Sequence, residues 1–448
     1  VFAPRSENAM TIQPSADTSI YVDLKAARDA GQALAGAPAN VRDEILRDLA
    51  HRLADPQKQR EVLAANARDL ALAQEMLFNG ELTQSKLDRL RLDESKLNAL
   101  CEGLRQLSSL EDPIGRRRVH RELDQGLILE QRVTPLGLIA VVFESRPDAL
   151  VQITSLCLRT GNAVALKGGR EAAATNACLH EIVGETLDHF GLDRRLVLLL
   201  RDRNEVQDLL KHDDLVELVV ARGSSSFVEA IRAASKIPVV GHAAGICHLY
   251  LHADADPALS ARVVVDAKCS YPAACNAVET ILWHADAIAA MQRSIEELRK
   301  RGVRVRGCTA TRAVFPDLEI ASEEDWSCEY GDLIVSVLRV DSLDEAMKHI
   351  AHYGSRHTES IICQDRFAAE EFLAKVDAAC VFHNASTRFS DGYRFGLGAE
   401  VGVSTEKLHA RGPVGIEGLC TYRWILHGEG QCTADYGVGR KAFTHRDL

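Results

Sequence analysis

Between residues 270 and 284 the chain reads SYPAACNAVETILWH, with Cys275 set among small residues just ahead of a segment that can begin a helix or a strand. A nucleophilic thiol suits such a place. It must be partly exposed, and its thiolate must be favoured by backbone N–H groups or positive charge, whereas a structural cysteine is buried and inert. Ala273 and Ala274 leave room for a substrate on one side. Asn276 and the backbone N–H groups after it could donate to the oxyanion that forms when a carbonyl is attacked. The plainer reading is a buried free thiol, since cysteine is among the residue types most often found inside.

The wider chain supplies the context. At 448 residues it exceeds a single core and should form two or more domains, and its 46% hydrophobic content is that of a globular protein. The 12 cysteines, at 101, 157, 178, 247, 269, 275, 308, 328, 363, 380, 420 and 432, form no C-x-x-C pair, which predicts free thiols in a reducing, cytoplasmic setting. Cys247-His248 with His242 is the one cluster that invites a metal, but a closed zinc site needs four ligands at a recognisable spacing, so none is expected. A net charge of −11 argues against binding nucleic-acid phosphates. The longest apolar runs, LGLIAVVF (136–143) and RLVLLL (195–200), have strand length and fall well short of the roughly 18 residues of a membrane-spanning helix. The opening VFAPRSENAMTIQPSAD lacks an apolar signal core, starts at Val with a Met at position 10, and enters no fold reading.

From about Tyr21 to Leu110, Ala, Leu, Arg, Asp and Glu recur at helical spacing, as in VRDEILRDLAHRLA (41–54) and SKLNALCEGLRQL (95–107), predicting a helical layer. RRVHREL (117–123) and LILEQRV (127–133), joined by Asp124-Gln125-Gly126, read as a hairpin, either a dimerisation arm or a plain surface ribbon. Strand-like runs then alternate with helical stretches, at 136–143, 162–167, 195–200 and 215–220 and again at 279–284, 332–340, 359–364 and 378–384. Such alternation predicts α/β architecture with parallel, doubly wound sheets, whose ligands lie at the carboxyl ends of the strands. Residues 20–250 are read as the helical layer plus a cofactor-binding α/β domain, with the hairpin at about 115–134; 251–400 as an α/β domain carrying Cys275; and 401–448 as a segment returning to the first domain and the arm. Two domains with a cysteine near their junction point to a cleft enzyme.

Lys167-Gly168-Gly169-Arg170 ends one predicted strand and opens the next helix, where a cofactor ribose and its phosphate can lie and glycine permits close approach. FESRPDALVQITSLCLRTGNAVALKGG (143–169), GHAAGICHLY (241–250), YPAACNAVET (271–280), NASTRFSDGYRFGLGAEVGVST (384–405) and HARGPVGIEGL (409–419) follow in one order. On these blocks, from about residue 20 to 427, the chain resembles the aldehyde dehydrogenase superfamily, in the branch that reduces an amino-acid acyl phosphate. The resemblance implies an aldehyde dehydrogenase-like fold with a β-hairpin oligomerisation arm, a homo-oligomer (dimer or tetramer), and Cys275 as nucleophile. It implies NADPH as hydride donor, bound by the first domain, and reduction of L-glutamyl 5-phosphate to L-glutamate 5-semialdehyde and phosphate in proline biosynthesis. A glutamate 5-kinase is then a partner that would hand over the labile acyl phosphate.

The chemistry is coherent. An acyl phosphate is an activated carboxyl group, so a thiolate can expel phosphate and leave a thioester that a hydride reduces. Carried over by resemblance, Arg170 stands where NAD-preferring relatives have a glutamate and is expected at the 2′-phosphate. Arg222-Gly223-Ser224-Ser225 resembles the second cofactor loop, with Gly223 and Ser224 facing the pyrophosphate, although Ala221 stands where proline is common. Glu329, in DWSCEY, resembles the glutamate that binds the nicotinamide ribose. Ser145, in FESRP, matches in place the segment that supplies an oxyanion side chain, with Arg146 beside it. Arg388, Arg394 and Arg411 suit the substrate's phosphate and α-carboxylate, since guanidinium forks fit both anions. Asn384, Ser386 and Thr387 offer polar contacts to the amino-acid head. Hydrolytic members of the superfamily carry a glutamate near GHAAGIC that activates water. Here no acid occurs from Pro238 to Leu251, Ala244 stands where relatives often have Asp or Glu, and His242, a base or a packing residue, is the nearest titratable group. That absence argues against a hydrolytic aldehyde dehydrogenase acting on a related semialdehyde. Intact Cys275, Lys167 and C-terminal arginines argue against a catalytically inactive scaffold.

Overall fold

The computed structural model describes residues 19–448 apart from Ser224, His242 and Ala243. The expectations for Ser224 at a pyrophosphate and for His242 as base or packing group therefore lie outside the described residues, as does the opening segment.

Five helices come first, Ser19–Gly36, Ala39–Ala54, Pro56–Phe78, Gln84–Leu90 and Glu94–Ser109. Asp55 shows how local chemistry starts one of them: its carboxylate accepts from the backbone N–H of Gln57 and Lys58, and Pro56 fills the first helical position, where no N–H is needed. Leu24, Ile45, Leu49 and Leu104 from this layer share one core with the first sheet.

That sheet is parallel, in the spatial order Val197–Leu199, Ala163–Lys167, Leu138–Phe143, Leu218–Arg222, Val239–Val240. Its chain order reverses between Leu138–Phe143 and Leu218–Arg222, which makes the carboxyl ends of those two strands a topological switch point. The runs 136–143 and 162–167 begin pairing at Leu138 and Ala163, and two other boundaries shift further. The run 215–220 pairs only from Leu218, because Leu215 and Val216 are buried core residues ahead of the strand. The run 195–200 shrinks to Val197–Leu199, because Arg194–Leu196 form a 3₁₀ turn capped by the Asp193 carboxylate.

The second sheet has seven parallel strands, in the order Glu319–Ile320, Arg304–Gly307, Ile334–Val340, Val278–His284, Cys247–Leu251, Thr358–Ile362, Cys380–His383. Alternate residues face opposite sides. Leu249, Leu251, Ile281 and Trp283 pack on one face, while Tyr250, Leu282 and Ile361 pack on the other. Both faces are covered, so these strands read as nearly continuous apolar runs.

The hairpin forms from Arg117–Asp124 and Leu127–Pro135. Cys420–His427 joins it, pairing from Cys420 opposite Pro135 to His427 opposite Ile128. Before reaching the arm the chain passes back through the first core at Ala399, Val401, Val414, Ile416 and Leu419. Among the described residues no helix is long and apolar enough to cross a membrane.

Candidate active site

Cys275 lies in two successive turns between helix Pro257–Cys269 and strand Val278–His284, where Ala274 N–H donates to Tyr271 O at 3.1 Å and Ala277 N–H to Ala274 O at 2.9 Å. The helix that delivers this loop starts at Asp256, whose carboxylate accepts from Leu259 N–H at 2.7 Å, with Pro257 next. Cys275 thus sits at the amino end of its strand, whereas ligands of such sheets were expected at carboxyl ends. The carboxyl ends come from the other sheet. Glu144, Ser145 and Arg146 follow strand Leu138–Phe143, and Ala221, Arg222 and Gly223 end strand Leu218–Arg222; both sets line one cavity of about 360 Å³ with Cys275, Glu329 and Glu400. The switch point of the first sheet faces the thiol loop of the second.

The thiol is partly exposed and outside any disulfide, as are the other eleven in that last respect. Its backbone is held from behind, since Cys247 Sγ donates to Cys275 O at 3.3 Å. A Cβ at Gly245 would come within 2.6 Å of Cys275 Cα and closer still to its carbonyl oxygen, so only glycine lets the two segments approach. From the helical layer, Arg89 donates to Ala273 O at 2.9 Å.

Charge is concentrated around the cavity. Burial pulls Arg222 down to about 10, helped by Arg146 and opposed by Glu400, Asp148 and Cys275, so it stays cationic at neutral pH. Burial raises Glu400 against the attraction of Arg222, and its carboxylate accepts from Gly392 N–H at 2.8 Å. Burial lowers Arg388, with Arg394 adding to the effect and Cys275 opposing it. Arg388 Nε donates to Ser270 Oγ at 3.1 Å, and the guanidinium lies over Tyr271, 5.8 Å from the ring centroid.

Of the residues singled out from sequence, Cys275, Ser145, Arg146, Gly223 and Glu329 line the cavity together. Ser145, at φ 49, has both its N–H (2.7 Å) and its hydroxyl (2.8 Å) on Glu171 Oε1. Asn276 is buried, its amide donating to Ser390 O at 3.0 Å. Arg394 donates to Arg388 O at 2.5 Å, Ser386 Oγ caps Arg388 N–H at 3.3 Å, and Thr387 is buried. The others are elsewhere. Asn384 follows the carboxyl end of strand Cys380–His383, the far end of the sheet from Cys275, and its amide is spent on Cys363 O at 2.9 Å and Cys363 N–H at 3.1 Å. Arg411 pairs with Asp377 at 2.7 Å. Arg170, at an exposed helix start, is ion-paired with Glu81. Lys167 is half-buried, its ammonium on Gly168 O and its pKa lowered chiefly by burial; a Cβ on Gly168 would strike the Asn176 side chain.

Lys86, Arg89, Glu144 and Glu400 also line the cavity without standing out in the sequence as site residues, and Arg222, read there as part of a cofactor loop, joins them. Lys86 and Arg89 look like ordinary helix-surface cations. Glu400 carried a signal: an acid inside the glycine-rich run GLGAEVG has no solvated helix face to occupy. Among the described residues no cluster suited to a metal ion occurs.

The profile of the aldehyde dehydrogenase family matches residues 1–306. The chain belongs to that family. Within it the chain is 48% identical over 438 residues to gamma-glutamyl phosphate reductase of Synechococcus sp. (strain JA-3-3Ab), covering 97% of this chain and 96% of that one. The crystal structure of gamma-glutamyl phosphate reductase from Thermotoga maritima superposes with a TM-score of 0.88 at 34% identity, over 93% of this chain and 100% of that one. An acetylating aldehyde dehydrogenase from Geobacillus thermoglucosidasius shares the fold, with a TM-score of 0.67 at 16% identity, over 92% of this chain and 97% of that one. The resemblance read from the five blocks and the aldehyde dehydrogenase-like α/β architecture are both borne out.

Proposed function

We propose that the protein reduces L-glutamyl 5-phosphate to L-glutamate 5-semialdehyde and phosphate through a thioester on Cys275, with NADPH as reductant, in proline biosynthesis. One observation carries the reading: a partly exposed thiol shares a cavity with three guanidiniums, Arg89, Arg146 and Arg222, the first of them turned to Ala273 O, in a chain 48% identical along nearly its whole length to a reductase named for this substrate.

The residues present fit a nicotinamide cofactor. Gly223 lies two residues before helix Ser225–Ala234, whose N-terminus favours a pyrophosphate, and Glu329 lines the same cavity as the thiol. When bound, the nicotinamide supplies a hydride. A preference for NADPH requires the Arg170 guanidinium to leave Glu81 for a 2′-phosphate.

The chain's own groups then act in order. Arg146 and Arg222 hold the anionic ends of the substrate, with Arg388 and Arg394 beside the thiol loop. The Cys275 thiolate bonds to the side-chain carbonyl carbon, and the C–O bond to phosphate breaks with its electron pair leaving on phosphate. Ser145 keeps its N–H on Glu171 and turns its hydroxyl to the carbonyl oxygen. Hydride addition to the thioester carbon expels the thiolate, which restores Cys275 and leaves the aldehyde. Self-association is assigned to the arm, whose added strand exposes Tyr422, Trp424 and Leu426 on one face. A glutamate 5-kinase is the proposed source of the acyl phosphate, and the cytoplasm the proposed setting.

The test runs in reverse. Glutamate 5-semialdehyde, NADP and phosphate are mixed with wild-type protein and with Cys275→Ala, and reduced cofactor is followed. Turnover by wild type and none by the variant is expected; an active Cys275→Ala would overturn the thioester route.

A further inference from the structure

We propose that Glu400 selects a substrate bearing an α-ammonium group by binding that cation inside the Cys275 cavity, a role that rests on the function proposed above. Three carboxylates line the cavity, Glu144, Glu329 and Glu400. Glu144 is ion-paired with Lys86 at 3.0 Å. Glu329 sits in the loop assigned to the cofactor ribose. Glu400 remains, and among the described residues it takes part in no ion pair; Gly392 N–H is its hydrogen-bond donor there, at 2.8 Å.

The loop around Gly392 is shaped to hold this carboxylate. A Cβ on Gly392 would lie 2.7 Å from Gly398 O and 3.2 Å from Glu400 Oε2, so the glycine allows its N–H to reach the side chain. An ionised carboxylate accepts about four hydrogen bonds, and one N–H leaves most of that capacity for a ligand. Burial raises the Glu400 pKa, and a cation brought against it favours the charged form.

Charge bookkeeping over the substrate points the same way. L-Glutamyl 5-phosphate carries two anionic groups and one cation. Arg146 and Arg222 attract both anions and repel the ammonium, which is favoured only beside a carboxylate. Because ammonium and carboxylate share the α-carbon, their receptors must be neighbours; Glu400 and Arg222 line the same cavity, and a Cβ on Gly402, two residues after Glu400, would lie 3.6 Å from Arg222 Nε. Glu400 and Cys275 line the same cavity of about 360 Å³, so the head group and the nucleophile share one enclosure.

The experiment compares kcat/KM for phosphate-dependent oxidation of glutamate 5-semialdehyde and of glutarate semialdehyde, the same chain without its amino group, by wild type and Glu400→Gln. Wild type should prefer the amino substrate by about 10²-fold. The variant should lose that preference because its activity on glutamate 5-semialdehyde falls while activity on glutarate semialdehyde is kept, which also reports an intact fold. A wild type without the preference, a variant that retains it, or a variant slowed equally on both substrates would overturn the role of Glu400. A wild type inactive on both would instead overturn the proposed function on which it rests.

Discussion

Lys268 and Glu279 form an ion pair at 2.6 Å with neither side chain exposed. Lys268 stands at the end of helix Pro257–Cys269 and Glu279 at the start of strand Val278–His284, so the pair closes the base of the loop carrying Cys275. The other Glu279 oxygen accepts from Gly331 N–H at 3.3 Å, two residues beyond Glu329. One buried carboxylate thereby ties the thiol loop to the loop proposed for the cofactor ribose.

Removing one partner should be costly. Above about pH 7, where Glu279 is ionised, Lys268→Met should lower stability by about 3–5 kcal/mol, because a buried carboxylate is left without its cation, and adding Glu279→Leu should recover most of the loss. Chemical denaturation reads both; a double variant no better than the single would contradict the pairing. The pH dependence has a definite sign. Burial raises Glu279 to about 7, against the opposing attraction of Lys268. The folded state then keeps a proton that the unfolded state has released, so the stabilisation is full below about pH 4.5 and is lost as pH rises through about 7. The stability of wild type relative to Glu279→Gln should therefore fall between about pH 5 and pH 7.5. A difference that stays flat would show that Glu279 does not titrate there.

Gly245→Ala tests the contact behind the nucleophile. The added methyl meets Cys275 backbone atoms rather than a flexible side-chain tip, so the thiol loop must shift. A displacement of about 1 Å at a reacting group costs on the order of 10²-fold in rate, and kcat should fall by about that much. The rate of Cys275 alkylation, followed by peptide mass spectrometry, should change with it. Wild-type kcat in this variant would mean that the loop position is not critical.

Much of the fold is legible from apolar runs, because strands covered on both faces and amphipathic helices leave opposite signatures. The central strand Cys247–Leu251 is not. His248 lies inside it, accommodated by Glu359, whose carboxylate takes the His248 N–H at 2.7 Å and meets Nδ1 at 3.1 Å. A buried polar pair of distant residues cannot be seen in either segment alone. Arg304–Gly307 is missed for a different reason: two arginines alternate through an otherwise short strand. Within the site, Cys275 and Ser145 are legible because their blocks are local. Asn384 and Arg411 share a similar polar, glycine-rich setting, but sheet direction puts Asn384 at the wrong end, and Asp377, more than thirty residues from Arg411, claims its guanidinium. Glu400 stands out inside GLGAEVG, but its donor Gly392, eight residues earlier, is seen only in the folded loop.

The proposed NADPH preference would depend on a competition at the surface. Arg170 is held by Glu81, so Glu81→Gln should release it and strengthen NADPH over NADH, while Arg170→Glu should reverse the preference by repelling the 2′-phosphate. Relative kcat/KM for the two cofactors is the measurement. Unchanged ratios in both variants would remove Arg170 from cofactor recognition.

The most direct test of the thioester account is rapid-mixing measurement of NADP reduction with glutamate 5-semialdehyde in phosphate-free buffer. No acid lies between Pro238 and Leu251 to activate water, and losing such a base costs about 10²–10⁴-fold. Phosphate, already anionic and attracted by Arg146 and Arg222, needs no such help. A thioester held on Cys275 should give a burst of reduced cofactor equal to the number of Cys275 thiols, followed by near-zero turnover that rises saturably when phosphate or arsenate is added. Full steady-state turnover with neither present would contradict it.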